Sequence, residues 1–261
     1  MPKKLKPSPS VVVGIDIGGT GTKGGIVDLT KGKLIGDRVR FDTPAPATPE
    51  RVAQTVAKIM DELASRPECP SPDVPVGAAF PAIIQRGIAR SASNIDKSWI
   101  DTDVDALFTK RLERSVHVIN DADAAGLAES RYGAGKDVDG TVLMITLGTG
   151  IGSAFIHNGL LIPNAELGHL ELDGHVAETQ ASAVARERLG LGWEEYSKRL
   201  QRYLSHVEFL FSPELFVVGG GISKRSDEFL PRLKLRTRIV PARLKNHAGI
   251  VGAALQASHG D

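Results

Sequence analysis

Two stretches decide the architecture. The first is Val11-Val-Val-Gly-Ile-Asp-Ile-Gly-Gly-Thr-Gly-Thr-Lys23 with Gly24-Gly-Ile-Val-Asp-Leu29 behind it. The second, half a chain later, is Thr141-Val-Leu-Met-Ile-Thr-Leu-Gly-Thr-Gly-Ile-Gly152 with Ser153-Ala-Phe-Ile156 behind it. In each, a β-branched apolar run (Val11–Ile17, Thr141–Leu147) predicts a buried strand that enters a glycine-rich turn. A second strand then follows, Gly25–Leu29 in one case and Ser153–Ile156 in the other, closed by the turns Lys31-Gly32 and His157-Asn-Gly159. A unit that recurs at this distance predicts two related halves, each a β-meander followed by helices.

Outward from the first stretch, Leu34–Phe41 reads as a third strand and Pro44, Pro46 and Pro49 as a loop. Thr48 can cap a helix with Pro49 at its first position, and Val52, Val56, Ile59 and Leu63 continue it at helical spacing. Val74–Phe80 and Val116–Ile119 read as strands, with a helix around Val104, Leu107 and Phe108 between them. Outward from the second, helices are expected at Ala177–Leu189 and Trp193–Phe211. The strand Leu215–Val218 ends in Gly219-Gly-Gly221, near a nucleotide base or distal phosphates, where a following helix would offer its positive N-terminus; a tight strand–helix turn without a ligand is the other reading. Ile250, Val251, Ala254 and Leu255 close the chain as a helix. The expected division is a flexible tail 1–10, a small α/β domain 11–118, a larger α/β domain 119–245, and a terminal helix 246–258 that returns to the first domain.

The chain has 32 Lys and Arg against 31 Asp and Glu, so no global charge points to nucleic acid or an acidic membrane. No apolar run approaches the length of a membrane span, and Met1–Ser10 has no apolar core, so a cytoplasmic location is expected. Cys69 is the one cysteine, which excludes an intrachain disulfide and a Cys-rich zinc site. The charge is uneven, however: Lys224–Lys245 holds eight cations and two acids, net +6. That stretch is either a solvated basic face or a track for a long polyanion.

Gly18-Gly-Thr-Gly-Thr-Lys23 matches neither a P-loop nor a dinucleotide fingerprint. Glycines let backbone N–H groups approach a phosphate, and Thr hydroxyls add donors. The candidate phosphate ligands are therefore Gly18, Gly19, Thr20, Gly21, Thr22 and Lys23 in the first turn; Thr146, Gly148, Thr149 and Gly150 in the second; and Gly219, Gly220 and Gly221. Asp16 lies in an apolar strand, where a carboxylate needs a partner. That partner is either Mg²⁺ brought by phosphates or the N–H groups of its own turn. Asp121 follows the strand Val116–Ile119 and can project from its end, or cap a helix that starts near Ala122.

Val13-Gly-Ile-Asp-Ile-Gly-Gly-Thr20, Leu147-Gly-Thr-Gly-Ile-Gly-Ser153 and Asn164-Ala-Glu-Leu-Gly-His169 together resemble the ROK family of repressors, open reading frames and sugar kinases. The resemblance spans residues 11–256. It implies a two-lobed actin/hexokinase-like (ribonuclease H-like) α/β fold with duplicated β-meander halves, and a homodimer. It makes Asp121 the base that takes the proton of a sugar 6-hydroxyl, and Asn94, Asn120, Asp121, Glu166, His169 and Glu178 the sugar ligands. The region after the Glu-x-Gly-His element, where many members carry a cysteine-rich zinc loop, is Leu170-Glu-Leu-Asp-Gly-His-Val-Ala-Glu178, so no zinc is expected. The first phosphate turn is two residues longer than the common form, which is similar to the branch that uses polyphosphate. The expected activity is transfer of a phosphoryl group from polyphosphate, ATP or both to glucose, with mannose as a second acceptor and Mg²⁺ as cofactor. An ATP-only kinase of glucose or an N-acetylhexosamine, and a sugar-binding regulator of the same fold, are the alternatives.

Overall fold

The computed structural model describes residues 8–93 and 95–259. They form two compact units, one made of the chain up to Asp121 with the segment from Gly249 onward, the other of Ala122–Ala248.

The first unit runs β1 (Val11–Ile17), β2 (Gly21–Asp28), β3 (Lys33–Asp42), α1 (Pro49–Ala64), β4 (Val76–Phe80), the short pair β5 (Ile84–Gln85) and β6 (Ile88–Ala89), α2 (Val104–Leu112) and β7 (Val116–Asn120). Its sheet has the order β3-β2-β1-β4-β7. The meander is antiparallel, while β4 and β7 join parallel to β1. Parallel neighbours need crossover connections, and α1 and α2 supply them. The ends of β1, β4 and β7 therefore emerge on one edge, where Gly18 and Pro81 begin loops and Asp121 begins a helix. Beneath it Trp99 is fully buried between Phe80 and Phe108 and donates its indole N–H to the Ala47 carbonyl at 2.7 Å.

The second unit starts in α3 (Asp121–Tyr132). It continues through β8 (Thr141–Leu147), β9 (Ile151–His157), β10 (Leu160–Ile162), the pair β11 (Glu171–Leu172) and β12 (His175–Val176), α4 (Glu178–Ala181), α5 (Ala183–Arg188), α6 (Trp193–Phe211), β13 (Leu215–Gly219) and β14 (Arg238–Pro241). Its sheet order is β10-β9-β8-β13-β14. The repeat extends to burial: β1 and β8 are both seven residues long, with residues two to five and seven buried and the sixth half-exposed. Asp16 and Thr146 hold that sixth place.

The last helix, α7 (Ala248–Ser258), packs on the first unit's sheet. A Cβ at Gly14 would lie 2.0 Å from the Ile250 carbonyl oxygen, and one at Gly77 would lie 1.8 Å from that of Ala253. Glycine on β1 and β4 is what lets the helix backbone approach.

Three expectations are corrected. Strand β2 starts at Gly21, not Gly25, because Thr22 pairs with Ile17 and is fully buried; likewise β9 starts at Ile151. The expected helix 177–189 is two helices, parted at Ser182, whose hydroxyl accepts the Ala185 N–H and caps the second. Beyond Gly221 the chain forms a 3₁₀ stretch, Gly221–Glu228, broken at Arg225, so no α-helix N-terminus faces the Gly219–Gly221 turn.

Candidate functional site

In the first unit, β1 and β2 meet in the turn Gly18–Thr20. The Gly18 N–H closes it by donating to the Gly21 carbonyl at 3.1 Å. The Thr43 hydroxyl ties the turn to the end of β3, donating to the Gly18 carbonyl at 2.6 Å and lying 3.1 Å from the Thr22 hydroxyl. Thr22 thus braces the turn from inside, whereas Gly19 and Thr20 are exposed. Asp16 and Lys23 are cross-strand partners, and Lys23 Nζ lies 3.0 Å from Asp16 Oδ2. The carboxylate also rests against Gly249, in the first turn of α7, where a Cβ would come within 2.4 Å of it. Both neighbours suit an anion, the ammonium by charge and the helix start by its dipole. Two strands away, Asn120 is buried and donates from Nδ2 to the Ala82 carbonyl at 3.0 Å. Asp121 comes next, half-buried at the start of α3.

In the second unit, the Gly148 N–H donates to the Gly150 carbonyl at 3.0 Å and Thr149 is exposed at the tip. Glu178, at the head of α4, accepts the Ile151 N–H at 3.1 Å through Oε2. A Cβ on Gly150 would lie 2.3 Å from that oxygen, so glycine there admits the carboxylate. The Gly219–Gly221 turn lies at the same end of this sheet. Gly219 pairs with Thr146, and Gly220, at φ +80°, presses on the Leu147 backbone.

Glu166 is presented by the segment Asn164–His169, which is bound to the rest of the unit at several points. The Ser153 hydroxyl donates to the Ala165 carbonyl and accepts the Leu167 N–H at 2.9 Å. Asn164 is held in the left-handed region, φ +61°, and its N–H donates to Asp123 Oδ2 at 2.7 Å. Gly168 is required because a Cβ would lie 2.1 Å from the Ile151 carbonyl oxygen. The Glu-x-Gly-His spacing therefore has a packing cause as well as a chemical one.

Glu166 Oε2 lies 3.9 Å from His169 Nε2. Burial raises the Glu166 carboxyl above the usual range; His169 opposes this and the charge of Glu178 adds to it. Asp123, nearly inaccessible, is pushed up to about 7, first by burial and further by Glu166, against the Asn164 N–H. Asp123 is the residue that sequence reasoning missed. It sits in an alanine-rich helix and its partner is 41 positions away. The one local signal was a carboxylate two residues past Asp121.

Asn94 lies outside the described residues. The segment after His169 forms the β11–β12 hairpin, whose Asp173 takes a two-pronged salt bridge from Arg202 at 2.8 and 2.9 Å. No helix among the described residues is long and apolar enough to cross a membrane.

The sequence model described as the ROK family matches residues 12–188. The chain belongs to the ROK family. Among ROK relatives, it is 49% identical over 243 residues to a polyphosphate glucokinase of Mycobacterium tuberculosis (strain CDC 1551 / Oshkosh), covering 93% of this chain and 89% of that protein. The solved inorganic polyphosphate/ATP-glucomannokinase of Arthrobacter sp. strain KM superposes with a TM-score of 0.94 at 69% identity, covering 97% of this chain and 100% of that one. A ROK family glucokinase from Streptomyces griseus, solved with glucose and AMPPNP, superposes with a TM-score of 0.82 at 26% identity over 96% of this chain and 100% of that one. The mixed α/β architecture with two five-stranded sheets is the actin/hexokinase-like fold of these ROK kinases.

Proposed function

We propose that this ROK protein is a glucokinase that transfers a phosphoryl group from inorganic polyphosphate or ATP to the 6-hydroxyl of glucose, with mannose as a second acceptor. The observation that carries the reading is its 69% identity, across nearly the whole chain, to an enzyme named for both donors and both sugars. The 49% identity to a polyphosphate glucokinase supports the same acceptor.

Each group has a part. Asp121 takes the proton of the 6-hydroxyl as that oxygen bonds to the terminal phosphorus; the bridging oxygen leaves with the shortened polyphosphate or ADP. Glu166, His169, Glu178, Asn120 and Asn94 read the sugar hydroxyls, each of which both donates and accepts. Burial of Glu166 strengthens its hydrogen bonds to a sugar that displaces the remaining water. The exposed backbones of Gly19, Thr20 and Thr149, with Lys23, meet the donor phosphates, and Gly219–Gly221 lies beside the second turn. Mg²⁺ neutralises charge on the phosphates when bound. Asp16 suits it as an indirect ligand: it is a hard oxygen donor with one oxygen engaged by Lys23, and Mg²⁺ usually keeps waters between itself and such carboxylates.

We further propose that the protein works as a homodimer in the cytoplasm. Phe209 at the end of α6 is 78% exposed, and Leu160 and Ile162 are exposed on the edge strand β10. Those residues suit a self-association surface better than they suit water.

The test is the purified protein with glucose and either donor, followed by formation of glucose 6-phosphate. Product with polyphosphate and with ATP is the expected result; no product with either overturns the reading.

A further inference from the structure

The basic stretch between Lys224 and Arg238 is a strap laid along α6. Arg225 lies over the Trp193 ring at 5.3 Å, at the start of that helix. Phe229 then packs against Trp193 and Tyr196. Next, Gln201 grips the Lys234 backbone, accepting its N–H at 2.6 Å and donating to its carbonyl at 2.9 Å. Finally, Glu208 accepts the Thr237 N–H at 2.7 Å. The contacts advance along the helix in step with the chain, so the strap follows α6 from Trp193 to Glu208, a distance of about 22 Å at the helical rise.

Leu233, Leu235 and Ile239 turn inward onto the core. Between and beside them Arg232, Lys234, Arg236 and Arg238 are all exposed, as are Lys224 and Arg225 nearer the start. Arg225 pairs with Glu228 and Arg236 with Glu208. Among the described residues, Lys224, Arg232, Lys234 and Arg238 form no ion pair. The 3₁₀ stretch that leads into the strap starts at Gly221, next to Gly220, which packs on the backbone of Leu147, the last residue of β8 before the second glycine turn.

We infer that this strap is an extended binding track for the chain of a linear polyphosphate, leading away from the phosphate turns along α6. The inference rests on the kinase reading above and adds the surface that distinguishes the two donors. A nucleoside triphosphate presents three phosphates in a row and ends before most of this row of cations. A long polyphosphate continues, and each cation it meets releases counterions and adds affinity. A single-stranded nucleic acid is the other linear polyanion, but it needs exposed rings on which its bases stack. The strap has none: Phe229 is buried, and Trp193 lies under Arg186 and Arg225.

The test is the triple variant Arg232→Gln, Lys234→Gln, Arg238→Gln, whose side chains make no ion pair. Binding of fluorescently labelled long-chain polyphosphate is read by anisotropy over a salt series, with tripolyphosphate and an oligodeoxythymidine as comparison probes. Turnover with ATP is read in parallel. We expect the variant to bind long-chain polyphosphate about tenfold more weakly at low salt, with a salt slope reduced by about 2. Tripolyphosphate affinity and ATP-dependent turnover stay within twofold. Unchanged long-chain binding overturns the track, as does an equal loss for tripolyphosphate and ATP. Oligodeoxythymidine binding as tight as that of polyphosphate would overturn it in favour of nucleic acid. Because the binding assay needs no turnover, a wild-type protein that binds long chains through the strap yet phosphorylates no sugar would refute the kinase reading alone.

Discussion

At the scale of single residues, the second unit holds carboxylates whose burial decides their charge: Asp123 and, less deeply, Glu166. Asp123 has a carboxyl pushed up to about 7, against about 3.9 in an unfolded chain. A raised value means that the folded state favours the neutral acid. The stability from this group is full below about pH 4, is lost as pH rises to about 7, and stays lost above that. Asp123→Asn keeps an acceptor for the Asn164 N–H and cannot ionise. It should therefore stabilise the protein at pH 8, by up to about 4 kcal/mol, and have little effect near pH 4.5. Denaturant melts at the two pH values check this; a variant less stable than wild type at pH 8 would show that the charged form is the one the fold needs. Gly168→Ala belongs to the same cluster. Its new methyl meets the Ile151 carbonyl, so Glu166 and His169 must shift. We expect glucose KM to rise at least about tenfold; an unchanged KM would separate Glu166 from sugar binding. Asp121 and Glu166 stood out through the sequence around them. Asp123 did not, because what makes it unusual is a loop 41 residues away.

At the scale of elements, legibility followed the locality of the cause. Strands β1 and β8 were readable because four consecutive buried residues leave a continuous apolar run ahead of a glycine turn. The start of β2 was not, because Gly21-Thr-Lys23 has turn composition and its strand character comes from pairing with Asp16 and Ile17. The helix expected after Gly221 is a kinked 3₁₀ stretch, and just beyond it Phe229 packs on Trp193 and Tyr196 of α6, a long-range contact that leaves no periodic mark in the sequence. The close approach of α7 was also unreadable, since glycines in a strand read as weak points until a helix backbone is found against them. That contact gives a prediction. Gly77→Ala places a methyl 1.8 Å from the Ala253 carbonyl oxygen and should cost about 3 kcal/mol. Urea unfolding checks it; a midpoint within error of wild type would mean that α7 can move aside at little cost.

At the scale of the whole molecule, the duplicated meander supplies each unit with a glycine turn at the end of its first strand, and the sequence between and after the meanders specialises them. The first unit carries Asp16, Lys23 and the strand that ends in Asn120; the second carries Glu166, His169, Glu178 and the basic strap. The exposed Phe209 gives a test of assembly. Phe209→Glu should shift a dimer toward monomer in light scattering while leaving the fold intact, and a wild type that is monomeric at micromolar concentration would remove the proposed dimer. Sugar phosphorylation with Asp121 as base stands or falls on Asp121→Asn. That change keeps the shape but cannot accept the proton. With glucose and saturating donor, kcat should fall at least about a hundredfold while glucose affinity, measured by calorimetry, stays within a few-fold of wild type. Turnover near that of wild type would contradict it.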